Sequence, residues 1–366
     1  TTGQQLYSSQ SYTLTASTNN YALGDGVFAV NDPAKMTWLG WDAKTGVLLW
    51  ESEPMDYPWG AYSHHLPVIA YNTLYTCNYA GAVTAFNLTD GSKLWTGYSD
   101  DAGMETAYGR YSFFYGPIVA GGVVFAGTGE HSPTQPLQRG AGLYAFDAAT
   151  GDRLWMLEGW YVLSAIADGY LISYNAIDNR IYCIGKGPSA TEVSISTNPI
   201  KAGEATLIQG TVTDQSTELK GTPAISDADM ATWMEHKVMQ QDLPMEGVTG
   251  VPVQVIITHP DGNVTILDYA TCDMGGSFAV MWTPPSEGIY QVTAYCYTTD
   301  AYGSSYGTTH IGVGASAEQA ADYPTYGSSE WPAYPEYNTI DLVLIAAVVV
   351  AIVIGIVNLL SIRKRK

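Results

Sequence analysis

Basic residues are scarce. The chain has 15 Lys and Arg against 35 Asp and Glu, a formal net charge of −20. Four of those 15 are Arg363, Lys364, Arg365 and Lys366, which leaves 11 for everything before them. A surface so acidic repels polyanions, which excludes nucleic acid as a partner. Cysteine is also sparse: there are four, none in a C-x-x-C pair or a Cys/His spacing that would hold zinc. Charged residues make up only 14% while apolar residues reach 46%, which excludes a disordered chain. The 27 tyrosines suit β-structure with polar aromatic surfaces.

One stretch lacks charge altogether. Leu342 to Ile362 carries only Asn358 and Ser361 as polar side chains. As a helix its 21 residues reach roughly 31 Å, the thickness of a hydrocarbon core. The four basic residues that follow and the acidic Glu336 and Asp341 before it set the direction, because positive charge marks the cytoplasmic side. The expectation is a single-pass cell-membrane protein, anchored through 340–362, with a basic cytoplasmic tail at 363–366 and the remainder extracellular. Disulfides are permitted in that compartment. Cys272 and Cys296 fall in one predicted domain and are the candidate pair; Cys77 and Cys183 fall in different repeats and read as buried free thiols. Asn87-Leu-Thr and Asn263-Val-Thr are glycosylation sequons at predicted turns.

Repetition organises the first half. LGWDAKTGVLLW (39–50), TAFNLTDGSKLW (84–95) and YAFDAATGDRLW (144–155) share an apolar stretch, an Asp or Asn, a turn ending in Gly, and Leu-Trp. Each half alternates as a strand does, and the Gly step closes a tight hairpin. The Asp or Asn side chain bonds the turn backbone and Gly supplies positive φ. Two further β-rich runs precede each copy, making four short strands per unit. Trp50, Trp95 and Trp155 lie 45 and 60 residues apart, so a propeller blade repeats and an insertion of about 15 residues falls around 97–112. Residues 161–187 supply three strands of a fourth unit. Thr2-Gly-Gln-Gln-Leu-Tyr7 reads as the same turn and last strand, with Tyr in place of Trp. Two readings follow: a longer propeller entered mid-repeat, or an N-terminal strand that completes the last blade of a four-bladed ring.

The repeat resembles the blade of the pyrroloquinoline-quinone (PQQ)-like propellers, whose tryptophan-docking motif is A-x-D-x-x-T-G-x-x-x-W. The resemblance covers 1–187 and implies blade-docking roles for Asp42, Trp50, Asn87, Trp95, Asp147 and Trp155. That family holds quinoprotein alcohol dehydrogenases and also non-catalytic scaffolds, so the fold does not settle function. GTGEHSPTQP (127–136) resembles the dehydrogenase stretch that helps hold Ca²⁺ beside the quinone, with Glu130 at the matching position. A carboxylate is a sound oxygen ligand for Ca²⁺, so PQQ and Ca²⁺ are the cofactors the resemblance implies. Leu137-Gln-Arg-Gly-Ala141 offers no carboxylate where those enzymes place their catalytic Asp, and no two cysteines are adjacent. No residue is therefore assigned a catalytic role. Glu130 and His131 are the candidate metal ligands, and His64 and His65 the candidate ligand face.

From Ser189 the pattern changes to strands that resemble immunoglobulin-like surface domains, on Gly276-Ser-Phe, Trp282-Thr-Pro-Pro and Gly288-Ile-Tyr-Gln-Val-Thr-Ala. Within it, SDADMATWMEHKVMQQ (226–241) reads as a helix capped by Ser226, with acids in its first turn and an apolar stripe of Met230, Trp233, Met234 and Val238. Residues 315–339 form a Pro/Tyr/Ser-rich stalk. The expected architecture is all-β: propeller blades at 1–187, an immunoglobulin-like sandwich at 188–314, stalk, and transmembrane helix. As a whole it resembles archaeal cell-surface proteins with PQQ-like repeats. The expected function is a surface binding or scaffold module for a protein, glycan or envelope partner; the alternatives are a quinone- and metal-dependent oxidoreductase and a structural envelope component.

Overall fold

A computed structural model describes residues 4–5, 7–8, 12, 20–56, 66–106, 109–129, 141–235 and 247–315. Its architecture grows from the repeated turn. Asp42 Oδ1 accepts the amides of Lys44 and Thr45, each at 2.8 Å. Asp147 Oδ1 accepts those of Ala149 and Thr150 at 2.8 and 2.9 Å, and Asn87 Oδ1 that of Thr89 at 2.9 Å. Gly46, Gly91 and Gly151 follow with φ of 71°, 72° and 79°, a region open to glycine and costly to other residues. Each turn joins the third strand of a sheet to the fourth. The register slips at one equivalent place per sheet, at Gly40/Trp41, Ala85/Phe86 and Ala145/Phe146. Such a bulge bends the strand and re-aims the side chains around it.

Three four-stranded antiparallel sheets result. The first is β1 (Tyr21–Gly24), β2 (Val27–Asp32), β3 (Thr37–Asp42) and β4 (Leu48–Glu51). The second is β5 (Val68–Ala70), β6 (Thr73–Cys77), β7 (Ala82–Asn87) and β8 (Lys93–Tyr98). The third is β9 (Ile118–Ala120), β10 (Val123–Gly127), β11 (Gly142–Asp147) and β12 (Arg153–Glu158). A fourth sheet has three strands, β13 (Tyr161–Ala167), β14 (Tyr170–Asn175) and β15 (Arg180–Ile184). The apolar cores lie between sheets. Trp50 of the first packs with Leu74, Phe86 and Leu88 of the second, and Tyr75, Val83 and Ala85 of the second with Val124, Tyr144 and Phe146 of the third. Face-to-face burial between neighbouring blades is what a propeller repeat requires, since one small sheet cannot bury its own apolar surface.

Residues after 188 form two sheets around one core. β16 (Ser189–Ile195), β18 (Thr206–Asp214) and β21 (Ser277–Trp282) make one sheet. β17 (Ile200–Lys201), β19 (Pro252–Thr258), β20 (Val264–Thr271), β22 (Gly288–Cys296) and β23 (Ser305–Gly314) make the other, in the order β17-β23-β22-β19-β20. Ile208, Val212 and Phe278 from the first share a core with Val253, Val255, Ile257, Val292 and Ile311 from the second.

Several expectations need correction here. Cys272 and Cys296 are both buried and both free. Cys272 N bonds Val251 O on one side of the β19 segment, while Tyr295, beside Cys296, faces Gln254 on the other. One strand therefore runs between them, a separation of about 9–10 Å between backbones, beyond the roughly 7 Å a disulfide spans. Burial pushes their thiols up to about 12 and about 11, as it pushes Cys77 up to about 12. Cys183, expected to be buried, is exposed on β15. The helix is α1 (Met230–Glu235), with no acid in its first turn. Ser226 is not its cap, because Asp229 immediately precedes it and accepts the amide and hydroxyl of Thr249 at 2.9 and 2.7 Å and the Ser226 hydroxyl at 2.9 Å. Those bonds hold 226–229 as a turn against 247–250, so the helix begins later. Val238 and the rest of 236–241 lie outside the described residues, as do the stalk from 316 and the apolar run 342–362. Among the described residues, no helix is long and apolar enough to cross a membrane.

Candidate functional site

The docking link repeats with one geometry. Trp50 Nε1 donates to the Leu88 carbonyl at 2.7 Å, and Trp95 Nε1 to the Ala148 carbonyl at 3.2 Å. Each acceptor is the residue just after the Asn87 or Asp147 of the next blade. The Tyr7 hydroxyl donates to the Ala43 carbonyl at 2.8 Å, the equivalent position after Asp42. The indoles also press on the next turn's glycine, so a Cβ on Gly91 or Gly151 would lie 2.7 or 2.6 Å from the Trp50 or Trp95 ring. Burying one such indole contributes at most about 4–6 kcal/mol of transfer free energy. Trp155 is placed differently. Its ring tilts against Phe125 at 5.8 Å, and Trp155, Tyr182, Ile184 and Met234 of α1 each pack against the core of Phe125, Leu143, Ala145, Leu157, Tyr161 and Leu171.

A second repeating position escaped the sequence reading. Asp32, Asn78, Thr128 and Asn175 occupy one place, at or just after the end of the second strand of each sheet, and all are buried. Each spends its oxygen on backbone amides of nearby loop or strand residues. Asn78 Oδ1 takes Ala80 and Ala82, Thr128 Oγ1 takes Gly142, and Asn175 Oδ1 takes Trp160 and Ile177. Three different residue types at four positions share only an acceptor oxygen, so no letter pattern marks the place.

Glu130, His131, His64 and His65 all lie outside the described residues. The approach to Glu130 is described, and it is tight: a Cβ on Gly129 would lie 2.8 Å from Trp160 Nε1, and Gly127 abuts the Tyr161 carbonyl. Among the described residues, no three His, Cys, Asp or Glu side chains converge as a metal site. Of the two sequons, Asn263 is exposed after β19, its amide donating to Asp261 Oδ2 at 2.7 Å. Asn87 is half-buried, and the Leu88 carbonyl beside it is the seat of Trp50.

The described part of the insertion expected at 97–112, residues 97–106 and 109–112, ties three parts together. Ser99 Oγ donates to Tyr111 O at 2.6 Å, and the Arg110 guanidinium donates to Ser99 O at 2.8 Å while lying 4.5 Å over the Tyr98 ring. Asp100 accepts the Tyr144 hydroxyl at 2.9 Å and Arg153 Nη1 at 2.6 Å. Burial raises the Tyr144 phenol above its usual range, so it stays a donor. Arg153 Nη2 then reaches Glu235 of α1 at 3.5 Å. With Met234 packed on the core that includes Phe125 and Leu157, this polar chain seats α1 against β12, the outer strand of the third blade.

Antiparallel four-stranded sheets keyed by an outer-strand tryptophan to the next sheet's turn define a PQQ-type β-propeller repeat array. Residues 1–190, just over half the chain, match the PQQ_2 family, described as outer membrane protein assembly factor BamB, and the chain belongs to that family. No curated protein matches it. Among solved structures it is similar to the computationally designed Ika4 protein, at 16% identity and a TM-score of 0.36, over 50% of this chain and 98% of that one. BamB from Moraxella catarrhalis aligns at 13% identity and 0.31, over 72% and 71%. The quinohemoprotein alcohol dehydrogenase ADHIIG from Pseudomonas putida HK5 aligns at 13% and 0.32, over 81% and 66%.

Proposed function

We propose that the chain is a membrane-anchored cell-surface scaffold whose blade rims bind a partner segment. Its immunoglobulin-like sandwich and stalk act as the spacer, 342–362 is the anchor, and the sequence's likeness to archaeal surface proteins belongs to the same reading. The seating of α1 on β12 carries it. There the protein's own helix uses the outer strand of the third blade as a docking rim, through Glu235 on Arg153 and Met234 on the apolar core that includes Leu157 of that strand. All three blades also expose an apolar side chain on the outer strand. The leucine before each docking tryptophan, Leu49, Leu94 and Leu154, is 47%, 50% and 39% exposed. Apolar side chains repeated along edge strands are features of surfaces that take partners.

The test is site-specific photo-crosslinking in native membranes from probes at Leu49 and Leu94. The expected result is a discrete adduct with one protein or envelope component. Absence of any adduct from both rims contradicts the reading. Dye reduction dependent on added PQQ and Ca²⁺, and abolished by Glu130→Ala, would replace it with the oxidoreductase alternative.

A further inference from the structure

We propose that the outer face of the five-stranded sheet is a binding platform for a neutral polysaccharide chain. The register lines up Tyr269 of β20, Gln254 of β19, Tyr295 of β22 and Tyr306 of β23 in one row across four strands. Tyr297 joins them, its ring 4.6 Å from Tyr295 and 6.4 Å from Tyr269. The Tyr295 and Tyr306 rings lie 6.0 Å apart and only 3° from parallel. Tyr269, Tyr297 and Tyr306 are 58%, 45% and 65% exposed. The Tyr297 hydroxyl donates to Gln254 Oε1 at 2.9 Å, which orients that amide within the row.

The next rows on the same face are Ile266, Ile256, Thr293 and Thr308, then Val264, Thr258, Gln291 and His310. Neither row contains a carboxylate, a lysine or an arginine, in a chain with 35 acidic residues. The nearest acid of β20, Asp268, falls at the bulge between Gln254 and Ile256. An anionic or cationic partner finds no complementary charge on these rows, so electrostatics select a neutral occupant. A protein partner of ordinary composition brings charges that this face leaves unpaired.

The side-chain chemistry narrows the choice further. A pyranose offers C–H groups on its ring face and hydroxyls around its edge. Tyrosine rings meet the first, and phenol, amide and threonine groups meet the second. Neighbouring strands are about 4.8 Å apart, so Tyr269 and Tyr295 lie about 10 Å apart along the row, the length of two linked sugar units. The row is held by backbone register and ring contacts, so little ordering is needed on binding. The inference does not depend on the anchor or rim reading, because the face belongs to the sandwich alone.

The test is affinity electrophoresis of the full chain in detergent through gels containing β-1,4-glucan, β-1,3-glucan, α-mannan or soluble chitin oligomers. The expected result is retardation by at least one of these, weakened tenfold or more by Tyr269→Ala or Tyr306→Ala. Tyr306→Phe, which keeps the ring, is expected to bind within about threefold of the parent. Circular dichroism melts confirm that each variant is folded. No retardation by any of the four glycans overturns the proposal. So does retardation that both alanine variants preserve, or a face whose alanine variants alter only self-association.

Discussion

At position 87 an amide does the work that carboxylates do at 42 and 147. All three oxygens take turn amides at 2.8–2.9 Å, so the turn needs an acceptor and tolerates either charge state of its neighbourhood. The carboxylates pay for this sensitivity in acid. Asp42 is held below the usual carboxylate range first by the Thr45 amide, and Asp147 first by that of Thr150. A depressed carboxylate contributes stability that is complete above its unfolded value and is lost as pH falls through the lower folded one. The double variant Asp42→Asn, Asp147→Asn is therefore expected to melt near the parent at neutral pH and to show a shallower loss of melting temperature below about pH 4. Thermal melts across that range check it; an unchanged acid slope contradicts it. These turns were legible in the sequence because Asp or Asn, Gly and Trp act locally at fixed spacing. The buried acceptors Asp32, Asn78, Thr128 and Asn175 were not, because their shared role is set by place in the blade.

Among elements, α1 shows how long-range docking overrides local signals. Ser226 and the acids after it are a fair helix start in isolation, yet Asp229 is claimed by Thr249 and the helix begins at Met230. The apolar stripe read from sequence is split between two neighbours. Trp233 packs with Ile225 and Val248, while Met234 reaches the third blade. The Arg153–Glu235 pair is half-exposed and contributes at most about 1 kcal/mol, so the apolar contact carries most of the seating. Met234→Asp is expected to release α1 from β12 and to raise hydrogen exchange at Met230–Glu235 and along β12, at a cost of roughly 1–3 kcal/mol. Hydrogen–deuterium exchange on the purified chain reads this; unchanged exchange in both segments contradicts the docking. The cysteine pairing failed for a related reason. Cys272 and Cys296 share a domain in sequence, but the strand order that puts β19 between them is a property of the fold.

At the scale of the whole molecule, the blades are linked in series by side chains that each bind the next unit, and the third blade carries α1 as its rim contact. A chain built this way presents repeated edges, which suits a scaffold. We propose that this array is displayed outward from a membrane by 342–362. The direct measurement is protease accessibility in intact cells that express the full chain with an epitope placed after Lys366. The account predicts carbonate-resistant membrane association, external protease removing the blades and sandwich, and the epitope protected until the cells are opened; a chain ending at Thr339 should leave the membrane. Recovery of the full chain in the soluble fraction, or digestion of the epitope in intact cells, would contradict it.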